Sequence, residues 1–123
     1  MLDVNQTVPT QALIGGAWQN ADTGRRFDVR DPATGHVIAS NAGCGELETR
    51  DAIAAADAAL ADWSAMPAAG RAAILRRWAD LMIERDDELA RTLTRESGKP
   101  LAEARGEVMY GASYLHWFSE EAP

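Results

Sequence analysis

Between Gly43 and Gly45 the apolar residues of this chain change their period, from the alternation of a β-strand to the three-and-four spacing of an α-helix. Strands therefore come first and helices afterwards, which predicts an α+β arrangement with the two kinds of element segregated along the chain. Before the change, Ala12-Leu13-Ile14 and Ala17-Trp18 flank Gly15-Gly16, and a Gly-Gly pair accepts the positive φ angles of a tight hairpin turn. Phe27 and Val29 alternate with Asp28 and Arg30 as in a half-buried strand. Asp31-Pro32-Ala33-Thr34-Gly35 carries turn chemistry, and His36 to Ser40 form the returning strand. The β-hairpins are expected over residues 12–42, after a loose N-terminal arm over residues 1–11.

Helices are expected over residues 46–121. Ile53, Ala56, Leu60 and Trp63 share one face of the first, and Pro67 and Gly70 break it. Ile74, Trp78 and Leu81 mark the second, with Leu75 and Met82 beside them. Asp86 is the expected N-cap of a shorter third helix with Leu89 and Leu93 inward. That helix should stop at Gly98, with Pro100 following. The fourth is the most regular: Ala104, Val108, Gly111, Leu115 and Phe118 recur at spacings of four and three. Gly106 and Gly111 inside it each cost about 1 kcal/mol relative to Ala, which close packing against another element would justify.

Composition narrows the function. With 12 basic and 19 acidic side chains among 123 residues, the net charge of −7 argues against a nucleic-acid partner and against an anionic membrane surface. No run approaches the ~20 apolar residues of a membrane span, and the start has no basic region leading into an apolar stretch. A single cysteine, Cys44, forms no intrachain disulfide, and with two histidines it makes no zinc pattern. These features together point to the cytoplasm.

No catalytic constellation emerges from the residues. Ser97-Gly98-Lys99 lacks the glycine-spaced loop of a phosphate site and is followed by Pro100, so it reads as a helix stop. Gly15-Gly16 lacks the third glycine and the strand-to-helix context of a dinucleotide fingerprint. Cys44 has Gly43, Gly45 and Glu46 as neighbours, none of them a cation that would activate a thiol. His36 and His116 read as surface or packing residues. Glu103 and Glu107 fall on a solvated face, and Arg71, Arg76 and Arg77 are spaced for ion pairs within the second helix, with Asp80 and Glu84. Trp18, Trp63, Trp78 and Trp117 are a large apolar load, suited to a core or to surfaces that dock onto something outside the chain.

The order of several stretches resembles the start of the aldehyde dehydrogenase superfamily. They are Leu13-Ile14-Gly15-Gly16-Ala17-Trp18, Asp31-Pro32-Ala33-Thr34-Gly35-His36-Val37-Ile38, Ala52 to Ala56, Arg71 to Asp86, and Glu96-Ser97-Gly98-Lys99-Pro100-Leu101-Ala102-Glu103-Ala104. The last part, through Arg105-Gly106-Glu107-Val108 and Tyr114 to Ala122, is most similar to the succinate- and glutarate-semialdehyde branch. The resemblance implies a piece of the α/β aldehyde dehydrogenase fold, with helices that pack on the cofactor-binding domain. It implies an enzyme that oxidises an aldehyde, here succinate semialdehyde to succinate, with NAD or NADP as hydride acceptor. A cysteine nucleophile and a glutamate general base would serve that chemistry.

In that family the nucleophile, the general base and most cofactor contacts lie beyond the residues present here. Cys44 does not match the nucleophile. The resemblance thus implies an N-terminal fragment, inactive alone, that binds no cofactor by itself. Its expected partners are the remainder of its own dehydrogenase chain and further copies in a dimer or tetramer, and alone it should tend to self-associate. One family feature maps onto this chain: a structural monovalent cation, whose ligand positions match Val29, Arg30 and Glu96. Met109, Tyr110 and Trp117 could help wall a substrate entrance. A non-catalytic helical interaction module is the alternative.

Overall fold

The computed structural model describes residues 9–122, and they form two compact units that divide between Ala61 and Asp62. The first eight residues of the expected arm lie outside the described residues.

In the N-terminal unit, β1 (Ala12–Ile14) and β2 (Ala17–Gln19) pair antiparallel, with Leu13 opposite Trp18. Gly15 and Gly16 take φ of 58° and 81°, so the tight turn needs residues without a Cβ at both places. The second hairpin joins β3 (Arg26–Arg30) to β4 (Val37–Ala42). Its turn is held by Asp31, whose carboxylate accepts from the amides of Ala33 (2.8 Å) and Thr34 (3.3 Å). The returning strand starts at Val37, one residue later than expected, and runs on to Ala42. Val29 faces Ala39 while Arg30 faces Val37, so β4 holds one extra residue, the buried Ile38. Thr10 extends this hairpin, its carbonyl accepting from the Ala42 amide at 2.8 Å.

Helix α1 (Glu46–Ala65) starts with a carboxylate clasp. Glu48 is buried, at 6% exposure. One of its oxygens accepts from the Gly45 amide at 2.7 Å, the reciprocal half of a capping box. The other accepts from the Asp22 amide at 2.6 Å, tying the loop between the hairpins to the helix. The face expected to be inward is not: Ile53 and Leu60 stay exposed, and Ala52 and Ala55 are the half-buried residues. A helix long enough for such a stripe has nothing in its own unit wide enough to cover it.

The C-terminal unit is helical: α2 (Ala68–Glu84), α3 (Asp86–Ser97) and α4 (Leu101–Glu121). Pro67 and Pro100 precede α2 and α4 at their N-caps with φ of −53° and −56°, starting helices as well as ending the ones before. Gly70 does not break a helix. It sits in the first turn of α2, where a Cβ would come within 3.1 Å of the Met66 side chain. Only Arg85 separates α2 from α3, and Arg85 rather than Asp86 is the N-cap. Asp86, Asp87 and Glu88 instead fill the first turn, where their charge suits the helix dipole. α3 ends as expected on left-handed Gly98, whose amide reaches the Thr94 carbonyl at 2.8 Å.

The core of this unit is made of small residues. Ala90, Ala104 and Val108 are buried together, with Met82, Leu93 and Leu101 packed against them. On α2 the buried residues are Ala72 and Ala79, with Leu75 and Met82 half-buried in line with them, whereas Ile74 and Trp78 face outward. On α3 Ala90 is buried and Leu93 packs against the core as expected, while Leu89 is 36% exposed. The stripe of α4 begins as expected at Ala104 and Val108 but continues through Ala112 to Ser119, leaving Phe118 exposed. The reason is common to all three helices. Alanine lets helix axes approach, so the closest contact forms where side chains are smallest and bulkier neighbours are turned to the flanks.

The two glycines of α4 differ. At Gly111 a Cβ would lie 3.3 Å from the terminal methyl of Met82, which is the close packing expected. At Gly106 a Cβ would meet no neighbouring atom within 4 Å. Gly106→Ala is therefore expected to stabilise the chain by about 1 kcal/mol through helix propensity, while Gly111→Ala gains less because Met82 must yield. Urea unfolding of both variants checks this. A Gly106→Ala protein no more stable than its parent would show that the propensity argument fails there.

Candidate functional site

The residues with chemical potential are scattered and mostly occupied. Cys44 is a free, half-buried thiol in the loop before α1. The fold brings a cation near it that sequence neighbours do not supply: Arg25 donates to the carbonyls of Gly43 (3.0 Å) and Cys44 (3.3 Å). The guanidinium is spent on backbone oxygens, which locks the loop. Lys99 is ion-paired with Glu107, which leaves it to brace the start of α4.

The pairing expected within α2 is only partly realised. Arg77 meets Glu84 at 3.1 Å in the same helix, but Arg76 reaches across to Glu120 on α4, and Arg71 donates to the Met66 carbonyl. Asp80 faces His116, with Oδ1 and Nε2 3.5 Å apart, a charge pair when the imidazole is protonated. His36 is exposed. Asp87 accepts from Arg91 at 2.7 Å and from Arg105, linking α3 to α4. Those two guanidiniums hold its carboxyl below the usual aspartate range.

Of the expected cation ligands, Val29 and Arg30 stand at the irregular end of β3 in the N-terminal unit, and Glu96 is exposed near the end of α3 in the other. The Arg30 guanidinium binds Asp28 (3.1 Å) and the Gly35 carbonyl (3.2 Å). Among the described residues no three His, Cys, Asp or Glu side chains cluster as a metal site.

What the C-terminal unit presents instead is a surface. α4 carries a second apolar stripe on the side away from its buried one: Tyr110, Tyr114 and Trp117, with Met109 and Phe118 on its flanks, all exposed. Gly106 leads this stripe one turn before Tyr110. The tyrosine hydroxyls are 2.6 Å apart and the rings meet edge to face at 4.9 Å. The shared hydrogen bond raises the pKa of Tyr114. At the C-terminal end of α4 the stripe borders an apolar groove of about 430 Å³ between α2 and α4, floored by Leu75 and Leu115 and flanked by Trp63 and Phe118. Of the expected entrance residues, Met109, Tyr110 and Trp117 are all in this exposed surface. Sequence periodicity alone points to one apolar face of α4 and misses Tyr114 and Gly106 on the other. The tyrosine pair at four-residue spacing is the signal that could have found it. Such a surface can hold or cover an apolar partner, but it holds no nucleophile with a base beside it.

The aldehyde dehydrogenase family model matches residues 18–123. The chain belongs to the aldehyde dehydrogenase family. The chain is 57% identical over 112 residues to the glutarate-semialdehyde dehydrogenase of Pseudomonas aeruginosa, covering 91% of the chain and 23% of that protein. It is 52% identical over 111 residues to the NADP(+) succinate-semialdehyde dehydrogenase of Escherichia coli, covering 90% of the chain and 23% of that protein. Among solved structures, an Escherichia coli NADP-dependent enzyme superposes with a TM-score of 0.92 at 50% identity, over 95% of the chain and 24% of that structure. The two hairpins and four helices match the N-terminal part of the aldehyde dehydrogenase fold. The chain thus spans about a quarter of the length of the relatives it matches. Among the described residues, no helix is long and apolar enough to cross a membrane.

Proposed function

We propose that this chain acts as the structural N-terminal portion of an NAD(P)-dependent dehydrogenase that oxidises succinate semialdehyde, or its glutarate homologue, to the dicarboxylate. Identity above one half to dehydrogenases of those two semialdehydes supports the substrate class. The role of the chain itself rests on one observation: its exposed apolar surface, on α4 above all, is laid over a well-formed helical core. A soluble monomer rarely leaves so continuous a patch open, and such a patch marks a docking face. The chain supplies packing and one wall, with Met109, Tyr110 and Trp117 toward the aldehyde. The nucleophile, the base and the dinucleotide contacts come from the other three quarters of such an enzyme. Val29, Arg30 and Glu96 stay a proposed monovalent-cation site of the whole enzyme, since peptide and carboxylate oxygens suit such an ion.

The test is a replacement. The matched segment of the Pseudomonas aeruginosa relative is exchanged for this chain, and turnover is followed as reduced nicotinamide. The chimera is expected to oxidise both semialdehydes within about tenfold of the parent enzyme, whereas the 123-residue chain alone gives none. A folded chimera with no turnover would refute the scaffold role.

A further inference from the structure

We infer that Asp80 on α2 and His116 on α4 form a proton-dependent latch between the two helices, closed when the imidazole is charged and open when it is neutral. The seam they span is built from small residues. Ala72 and Ala79 of α2 and Ala112 and Ser119 of α4 are all buried. Residues of that size let helix axes approach but bring little apolar area to hold them together, so polar groups along the seam carry weight. Two pairs cross it, one turn apart on both helices: Arg76 with Glu120, and Asp80 with His116. The second pair depends on a single proton.

The His116 side chain keeps 40% of its surface exposed, yet its Nε2 atom is turned inward, with almost no access to water and no hydrogen-bond partner. Asp80 Oδ1 is the group it faces, 3.5 Å away. A neutral ring leaves that nitrogen poorly served. Without a hydrogen, its lone pair points at a carboxylate; with one, the N–H is too distant for a good hydrogen bond. A buried polar atom in that position is costly. When both ring nitrogens carry protons, the same geometry becomes an ion pair.

The other charges around the ring are engaged elsewhere. On α2, Arg76 is held by Glu120, Arg77 by Glu84 and Arg71 by the Met66 carbonyl. On α4, Glu121 lines the apolar groove with Trp63 and Phe118, the side on which the end of α1 brings Asp62. α3 meets α4 at Ala104 and Val108, and its charged contact there, Asp87 with Arg105, lies about three turns before His116. Asp80 is therefore the counter-charge of a protonated His116. The latch acts on the half of α4 that carries Tyr114, Trp117 and Phe118, so a proton taken up at His116 firms the base of that exposed surface.

The pair exists only in the folded chain and only with the proton on. Its stabilisation is present in acid and is lost as the pH rises through the range in which histidines release their protons. The test is a double-mutant cycle in the 123-residue chain, followed by urea unfolding at about pH 5.5 and about pH 8, on either side of that range. Glu48, whose carboxyl is held at about 2, stays ionised at both. Asp80→Asn and His116→Gln are made singly and together, and both side chains are partly exposed, so the core is left intact. Asp80→Asn is expected to raise the unfolding constant about two- to fivefold at the lower pH, the size of an exposed ion pair, and to leave it unchanged at the higher one. In the His116→Gln background the same substitution should change nothing at either pH. Any other pattern overturns the latch: a cost of Asp80→Asn that is equal at both pH values, that persists in the His116→Gln background, or that is absent from both.

Discussion

Ala104→Leu is expected to destabilise the C-terminal unit by about 1–3 kcal/mol, the usual cost of forcing a larger side chain into a packed core. Ala104 has no exposed surface, and neither has Ala90 in the same cluster on α3. The two methyl groups set how closely α3 approaches α4. A leucine at either place must push the helices apart or take a strained rotamer, and it also disturbs Val108 and Leu101. Ala102→Leu is the matching control, because Ala102 lies exposed on the same helix and leucine is nearly as good a helix former. Urea midpoints of the two variants should separate clearly, with Ala102→Leu at the parent value. Equal midpoints would mean that α3 and α4 are not in tight contact in solution.

The second large effect concerns the N-terminal unit and its acid clasp. Glu48 accepts from two backbone amides, Asp22 and Gly45, with one oxygen each. The amide of Asp22 and then that of Gly45 do most to hold its carboxyl at about 2, below its ordinary 4.5. The folded protein thus stays ionised at a pH where the unfolded chain has taken up the proton. The unfolded state binds more protons over that range, so the stabilisation is complete above about 4.5 and is lost as the pH falls toward about 2.

Glu48→Gln keeps one acceptor oxygen and turns an NH2 group toward the other amide, and Glu48→Ala leaves both amides without a partner. At neutral pH the urea midpoint should fall in the order wild type, Gln, Ala. The gap between wild type and Gln should then close on acidification, because protonated Glu48 resembles the amide. A gap that stays constant midway between 4.5 and 2 would show that the clasp does not carry this pH dependence.

Much of the backbone plan is legible in the chain. Gly15-Gly16, the Asp31 to Gly35 turn and Gly98 each impose a φ or a hydrogen bond that few other residues supply, so the hairpins and the end of α3 appear where they are expected. Helix faces were harder. Ile53, Leu60, Ile74, Trp78 and Phe118 are bulky residues at helical spacing, yet all five are exposed, while alanines take much of the interior. Periodicity reports that a helix is amphipathic, but when apolar residues line more than one face it does not say which face meets a neighbour. Here the larger side chains form the outer surface, as suits a segment that packs on further protein. The candidate site was legible to the same degree: Met109, Tyr110 and Trp117 are on the open side of α4, but their union with Tyr114 and Gly106 needed the helix to be oriented first.

By itself, then, the sequence determined the order of strands and helices, their turns and stops, and a family resemblance carried by stretches that run along most of the chain. Those are properties of local backbone chemistry, encoded within a few residues. The tertiary structure alone decided that Glu48 reaches back to Asp22, that Arg25 locks the Cys44 loop, that Arg76 chooses Glu120 over its own helix, and that α4 turns its small residues inward. Each of these joins groups far apart in sequence, and their pairing depends on which helix faces can approach most closely, a quantity set by packing between elements and not by any one of them.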